Sequence, residues 1–368
     1  MVRLTAADEL FVHQIPEPLP NVAVHHEHWR ESYFFVAHPP SGDGDVLIVA
    51  MAHYPAREEM DCLQLGRVGG GFVYARHVRP YGDDPHTTAV GPATVEVVEP
   101  YRTVRLRVDD SPEAPVALDL TFEARTSPYG LRRGTMKRGE EIIWDQSHML
   151  QAGVYTGTYR SAGRTVEVDG WLGQRDHSWG IRDHARCPMW MWLAIQLPDA
   201  MIGVWHWELA DGSWVYTDGC YAPAHKTHKA RKAHKAHNAH KTGEAREADG
   251  ADKTEETGEA ATGEPVRVTD FRHDLVWVDG EGRSVSYGRD GEGVAGLAGT
   301  VELTLAGGER LVVEGEGTWA MPYGPLGGGQ HLMKVRTSDG RVGSAIYELT
   351  GAHHHRYFPV PRSERLPG

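Results

Sequence analysis

The stretch GQRDHSWGIRDH, residues 173–184, lies between two strand-like runs of sequence. Successive side chains of a β-strand point to opposite faces, so this alternation assigns Asp176 and Ser178 to one face and His177 and Trp179 to the other. The stretch therefore predicts one of two arrangements. It forms either a structural ion-pair network or a polar pocket in which His177 carries a proton near neutral pH.

The ion-pair interpretation concerns the arginines and aspartates of this stretch. The guanidinium fork binds a carboxylate through two parallel hydrogen bonds, and buried pairs of this kind commonly hold neighbouring strands together. The four residues given this structural role are Arg175, Asp176, Arg182 and Asp183. On this interpretation they fasten the junction between two halves of a β protein, while His177 and Trp179 face a cavity.

Sequence on both sides of this stretch is typical of antiparallel β structure. Apolar and polar residues alternate over 116–123 and over 103–108, and two glycines at 307–308 suit the tight turn of a hairpin. Short strands with frequent turn signals, together with 43 glycines, favour barrels or sandwiches. We therefore predict an all-β fold with two lipocalin-like barrels side by side and few helices. The first covers 1–186 and the second 187–368.

Composition excludes several classes of protein. Hydrophobic residues make up 40% of the 368 positions, which is enough for ordinary globular cores. The formal net charge of −13 disfavours a nucleic-acid partner, because phosphate binding needs clustered cations. No segment contains the roughly 18 uninterrupted apolar residues of a membrane span, so we expect a cytoplasmic protein. The three scattered cysteines and the glycine-rich runs predict no disulfide framework, metal site or dinucleotide cofactor.

An insertion of unusual composition interrupts the second half of the chain at 222–264. Residues 224–241 repeat in triplets with histidine at the second place of most of them, and residues 242–264 are acidic and lack large apolar side chains. No packed helix or strand has a period of three. We expect a disordered surface loop. Its imidazoles leave metal sequestration open as an alternative.

Tryptophans cluster just after this stretch. The run from Met189 to Tyr221 divides at Pro198-Asp199 and at Asp211-Gly212, which predicts a meander of three strands, each carrying a polar group among large apolar neighbours. Such a density suits either a tightly packed seam or the wall of a cavity that binds a hydrophobic molecule. The candidate binding residues are Trp179, Trp190, Trp192, Trp205, Trp214, His206 and Glu208.

Three segments together resemble the double-lipocalin superfamily. They are VDGWLGQRDHSWGIRD at 168–183, HWRESYFFVAHPP at 28–40 and GRVGSAIYEL at 340–349. This superfamily includes the AttH-like proteins, the carotenoid 1,2-hydratases and fungal pericyclases, and the chain is most similar to its bacterial branch with the full RDHSWG motif. The resemblance implies two calycin-type barrels with the motif near their junction. It also implies catalytic roles for His177, Tyr216 and Asp218, with the aspartate as the proton donor.

The chemistry implied by this resemblance is hydration or dehydration without a cofactor. A carboxylic acid in an apolar, tryptophan-lined cavity stays protonated near neutral pH and can protonate an alkene, after which water adds to the cation. The expected substrate is a hydrophobic terpenoid, steroid or polyketide-like molecule. A pericyclase or isomerase, and a non-catalytic carrier of lipid or isoprenoid, remain as alternatives.

Overall fold

The computed structural model describes residues 3–11, 26–80, 87–184, 186, 189–225, 263–287, 291–323 and 327–351. In these residues the helical segments are two short 3-10 turns, Ala6–Glu9 and Pro55–Arg57. The strands of the first half are β1 (Trp29–Ala37), β2 (Val46–Tyr54), β3 (Glu59–Val68), β4 (Gly71–Pro80), β5 (Ala89–Val90), β6 (Ala93–Glu99), β7 (Thr103–Val108), β8 (Ala117–Ala124), β9 (Tyr129–Gly130), β10 (Gly134–Arg138), β11 (Glu141–Ser161) and β12 (Arg164–Arg182). Those of the second half are β13 (Met189–Gln196), β14 (Ala200–Glu208), β15 (Trp214–Pro223), β16 (Val266–His273), β17 (Val276–Val278), β18 (Gly296–Leu305), β19 (Arg310–Pro322), β20 (Gly328–Thr337) and β21 (Val342–Thr350).

The strands form two antiparallel sheets. The first runs β4-β3-β2-β1-β12-β11-β8-β7-β6-β5 and curls into a nearly closed barrel, while β9 and β10 pair with β11. The second runs β16-β15-β14-β13-β21-β20-β19-β18-β17, and pairing of β16 with β18 closes it. The predicted all-β, two-barrel fold is therefore confirmed. The sheets take their strands from residues 29–182 and 189–350, respectively.

The two glycines of the opening stretch allow β12 to approach its neighbours closely. A Cβ atom on Gly173 would lie 1.8 Å from the carbonyl oxygen of Val36, and one on Gly180 would lie 2.1 Å from that of Asp145. Gly180 also has a φ of +131°, which side-chain-bearing residues rarely adopt. Larger residues at either position would push β12 away from β1 or β11.

Buried apolar side chains form three clusters. One fills each barrel, and the third lies where the barrels pack against each other. Strand β13 contributes to two of them, because Met191 and Leu193 point into the second barrel while Trp190 and Trp192 point toward the first. The buried tryptophans of the meander, Trp190, Trp192, Trp205 and Trp207, therefore belong to the junction between the barrels.

The predicted insertion at 222–264 lies mostly outside the described residues, which resume at residue 263 after residue 225. Strand β15 ends at Pro223, and Cys220 and Tyr221 pair with Arg267 and Val266 of β16. The two strands that flank the insertion are thus direct neighbours. No helix in the described part of the chain is long and apolar enough to cross a membrane.

Candidate functional site

A cavity of about 400 Å³ lies between the two barrels. Its volume is in the range of small-molecule sites, roughly 300 to 1,000 Å³. Strands β1, β2, β3 and β12 of the first barrel form its floor, and β13, β14, β19 and β21 of the second barrel form its roof. A ligand here would be bound on the outer faces of the two sheets rather than inside either barrel.

The floor changes from charged to apolar along the strands. On β1 the alternate residues Arg30, Ser32 and Phe34 line the cavity in that order, and Tyr33 between them also borders it. In the register with β12, Ser32 lies opposite Ser178 and Phe34 opposite Asp176. Since side chains alternate along a strand, the even-numbered residues here face the cavity and the odd-numbered ones face the interior of the first barrel.

The roof is built mainly from tryptophans of β13 and β14. Trp192 and Trp205 are cross-strand partners, and the ring of Trp205 stacks on that of Trp190 at 6.2 Å. The indole N–H groups of Trp192 and Trp205 have no hydrogen-bond partner. Buried polar groups are normally paired, so both N–H groups are available to an oxygen atom of a ligand.

Glu348 is the acidic residue of the roof. It lies opposite Trp192 in the register of β13 and β21, and its oxygens accept hydrogen bonds from Trp190 Nε1 at 3.3 Å and Gln330 Nε2 at 2.9 Å. Burial, together with the nearby charge of Asp176, raises the pKa of the Glu348 carboxyl from 4.5 to about 7. Near neutral pH this group is therefore partly protonated and can donate a proton.

A histidine and an aspartate lie across the cavity from Glu348. His148 Nε2 is 3.2 Å from Asp176 Oδ1, a separation that suits an ion pair, although Nε2 makes no hydrogen bond with acceptable geometry. The imidazole packs edge-on against Trp205 with ring centres 4.6 Å apart. His148 lies on β11 opposite Ser178 of β12. These two strands thus place a histidine and an aspartate in the same cavity as Glu348.

Asp218, the aspartate predicted as proton donor, lies outside this cavity. It is fully buried, and its carboxylate accepts hydrogen bonds from Tyr129, Arg267 and two backbone N–H groups at 2.7–3.2 Å. Tyr216, predicted beside it, donates its hydroxyl to the carbonyl oxygen of Arg132 at 2.5 Å. The polar atoms of both residues are used to tie β15 to the first barrel.

The structure places His177 and Trp179 on the inner side of the first barrel, away from the cavity. His177 Nε2 lies 2.8 Å from the carboxylate of Glu31, which also contacts His53 at 3.1 Å. The ring of Trp179 lies 5.2 Å from that of His177. These residues belong to a buried polar cluster at the end of the first barrel closed by residues 6–9.

The four residues predicted as a structural network separate into two groups. Arg175 binds both carboxylate oxygens of Glu9 inside the first barrel, and Asp183 accepts a hydrogen bond from Arg186 at 2.6 Å. Asp176 and Arg182 instead line the cavity. The face of β12 assigned to a structural role therefore contributes to the candidate site.

The remaining predicted binding residues also separate. Trp190, Trp192 and Trp205 line the cavity. His206 lies 3.0 Å from Glu208, which also contacts His273 at 3.2 Å, in a group apart from the cavity. Trp214 has 65% of its surface exposed. No group of three or more metal-ligating side chains in the described residues has the geometry of a metal site.

Glu348, His148 and Arg30 were not among the residues singled out from the sequence. Arg30 and Glu348 both lie in segments quoted for their resemblance to double lipocalins. Glu348 is the charged residue of a mostly apolar strand, and Arg30 precedes Glu31 in a strand that is apolar over its second half. A charged residue in a strand that is expected to be buried was therefore the sequence signal that could have identified these two residues. His148 lies in no motif, and its role follows only from the pairing of β11 with β12.

Comparison with known proteins places this chain in a family and a fold. The sequence family described as "Family of unknown function (DUF8625)" matches residues 4–260. The chain belongs to this family. No curated protein sequence matches it significantly.

Two solved structures share its architecture. A protein assigned as AttH from Nitrosomonas europaea is 13% identical, with a TM-score of 0.53 over 89% of this chain and 94% of its own. Kievitone hydratase from Nectria haematococca is 10% identical, with a TM-score of 0.51 over 87% of this chain and 88% of its own. At these identities the likeness concerns the fold. It confirms the predicted lipocalin-like double barrel.

Proposed function

We propose that this protein is a hydratase or dehydratase that acts on a largely apolar substrate in the cavity between its barrels, with Glu348 as the acid. The observation that carries the proposal is a carboxyl group with a pKa near 7 on a tryptophan-lined cavity wall. A general acid is most effective when its pKa is close to the working pH. Glu348 therefore replaces Asp218 as the proposed proton donor.

The proposed reaction adds water across an isolated double bond. Protonated Glu348 transfers its proton to one alkene carbon, leaving a carbocation on the other and a carboxylate at Glu348. Water adds to the cation and gives up a proton to the pair formed by His148 and Asp176. The pair then releases this proton to solvent, and Glu348 takes one up from solvent, so the sum is alkene plus water to alcohol. Dehydration follows the same steps in reverse.

The tryptophans supply the environment that this path needs. Each aromatic face attracts a nearby cation by roughly 0.5 to 2 kcal/mol, and Trp190, Trp192 and Trp205 all line the cavity. The apolar part of the floor, with Phe34 and Leu63, offers contacts for the apolar body of a substrate. The shared fold with a protein named kievitone hydratase is compatible with this chemistry.

The test is isotope incorporation from labelled water. Purified protein is incubated with a panel of terpenoid, sterol and polyketide alkenes and their tertiary alcohols, in water enriched in deuterium and in heavy oxygen, and products are analysed by mass spectrometry. We expect label in at least one substrate with the wild-type protein and its loss with Glu348→Gln. Asp218→Asn serves as the comparison, with its folded fraction measured in parallel.

The outcomes separate the candidate functions. Labelling that persists in Glu348→Gln but disappears in folded Asp218→Asn would return the proton donor to Asp218. Binding of panel members without any labelling would contradict the proposal and favour a carrier. Conversion to an isomer without labelling would favour a pericyclase or isomerase.

A further inference from the structure

Two arginine side chains lie at one end of the cavity. Arg30 lies on β1, and Arg182 is the last residue of β12. The two strands are neighbours, and Arg30 pairs with Gly180, two residues before Arg182. Arg182 is 5% exposed. Burial, together with the positive charge of Arg30, lowers the pKa of the Arg182 guanidinium well below its ordinary value, while the charge of Asp176 acts in the opposite direction. The two guanidinium charges therefore repel each other.

Neither guanidinium has a carboxylate partner among the described residues. Arg182 Nη2 donates only to neutral oxygens, those of the Ser32 hydroxyl at 3.1 Å and the Ser178 carbonyl at 3.3 Å. The Nε atoms of Arg30 and Arg182 are buried and have no hydrogen-bond partner. The acids that line the cavity are engaged elsewhere. Asp176 pairs with His148, Asp61 pairs with Arg76, and Glu348 accepts hydrogen bonds from Trp190 and Gln330.

Such an arrangement is unfavourable. An arginine side chain remains charged in proteins, and burying that charge without a counter-ion is costly in free energy. Two like charges at one end of a cavity add to that cost. An anion that enters the cavity would neutralise them and use the vacant donors, and a carboxylate matches the planar fork of a guanidinium best.

The rest of the floor indicates the shape of the ligand. Moving along β1 from Arg30, the cavity is lined next by Ser32 and then by Phe34, and Leu63 and Leu65 of β3 lie at the apolar end. A molecule bound along this floor would have its charged group at the arginine end. Its apolar part would extend beneath the tryptophans and past Glu348.

We propose that the substrate is an amphipathic acid, whose carboxylate is bound by Arg30 and Arg182 and whose apolar body lies between Phe34, Leu63 and the tryptophans of the roof. This inference rests on the proposed function for its site and extends it to the class of substrate. The carboxylate would fix the register of the substrate and so select which of its carbons lies next to Glu348.

The test is the binding of a matched set of probes, measured by isothermal titration calorimetry. The probes are naphthalene-acetic acid, the corresponding naphthalene-ethanol and naphthyl phosphate. We expect the acid to bind about tenfold or more tightly than the alcohol, since hydrogen bonds to charged groups are about twice as strong as neutral ones. Arg30→Met should remove this preference, because methionine keeps the apolar stem but not the charge.

Matched variants make the result specific. Arg272→Met removes an exposed arginine of β16 and should leave the preference unchanged. Arg182→Met should also remove the preference, and Arg30→Met remains informative if that more buried substitution fails to fold. The proposal would be overturned if the wild type bound the acid and the alcohol with equal affinity, or if it bound none of the probes. Tighter binding of the phosphate than of the acid would overturn the assignment of the ligand group as a carboxylate.

The same probes separate this inference from the proposed function. Glu348→Gln should abolish isotope incorporation while keeping the preference for the acid over the alcohol. Loss of catalysis with the acid preference intact therefore supports the arginine site independently of the reaction. A lack of preference alongside active labelling would refute the arginine site alone.

Discussion

Replacing Glu348 by glutamine should change how the stability of the protein depends on pH. The folded-state pKa of this carboxyl is raised from 4.5 to about 7, first by burial and then by the charge of Asp176. Each pKa unit corresponds to about 1.4 kcal/mol, so the shift amounts to at most about 3.5 kcal/mol. Glu348 is partly accessible from the cavity, and this figure is therefore an upper one.

The sign follows from which state binds more protons. Because the folded state holds the Glu348 proton more tightly, its contribution to stability is fully present below pH 4.5 and is lost as the pH rises through about 7. Glutamine keeps one carbonyl oxygen, which can accept from Trp190 or from Gln330, and it does not ionise. The variant should therefore gain stability relative to the wild type, by up to about 3.5 kcal/mol, as the pH rises from 4.5 to about 8.

Urea unfolding followed by tryptophan fluorescence at closely spaced pH values measures this difference. Glu314→Gln, at an exposed position of β19, is the matched control and should follow the wild-type curve across the series. Parallel curves for the wild type and Glu348→Gln over the whole range would refute the reasoning. They would mean that the cavity does not keep this carboxyl protonated.

Three further predictions concern the scaffold. Asp218→Asn should lower the free energy of unfolding, measured in urea, by about 3 to 5 kcal/mol, because it leaves buried donors and the Arg267 guanidinium without their carboxylate. An unchanged unfolding midpoint would contradict this structural role of Asp218. Glu9→Gln should lower the free energy of unfolding by a similar amount, since it removes the charged partner of buried Arg175. A decrease below about 1 kcal/mol would show that this ion pair holds the N-terminal segment weakly. Replacing residues 226–262 by a short glycine-serine linker should leave the unfolding midpoint and the circular dichroism spectrum unchanged, because β15 and β16 are already paired. A large loss of stability would contradict the prediction of a surface loop.

The architecture was accessible from the sequence because it depends on local patterns. Alternating residues fix the strands, and glycines such as Gly180 of the RDHSWG motif meet a close backbone approach that other residues would block. The alternation also placed Trp190 and Trp192 on a common face of β13, which is the face that meets the first barrel. These features can be predicted from the two-residue period of a β-strand alone.

The site was less accessible because alternation does not say which face of a strand meets which partner. On β12 it separates Asp176 from His177 correctly, yet either face could have faced the cavity, and the structure puts Asp176 there. Asp218 shows the same limit, since its partners Tyr129 and Arg267 are distant in sequence. Only the packing of the two barrels decides that Glu348 lines the cavity while the carboxylate of Asp218 is fully hydrogen-bonded.

The most direct test of the proposed acid is its titration in the intact protein. Carbon NMR of protein labelled at the glutamate side-chain carboxyl carbons, with Glu348→Gln used to assign the signal, reports the protonation of Glu348 without a substrate. We predict a midpoint at about 7 that falls when Asp176→Asn removes the neighbouring charge. A midpoint close to the ordinary glutamate value of 4.5, unchanged in Asp176→Asn, would contradict the assignment of Glu348 as the proton donor of the cavity.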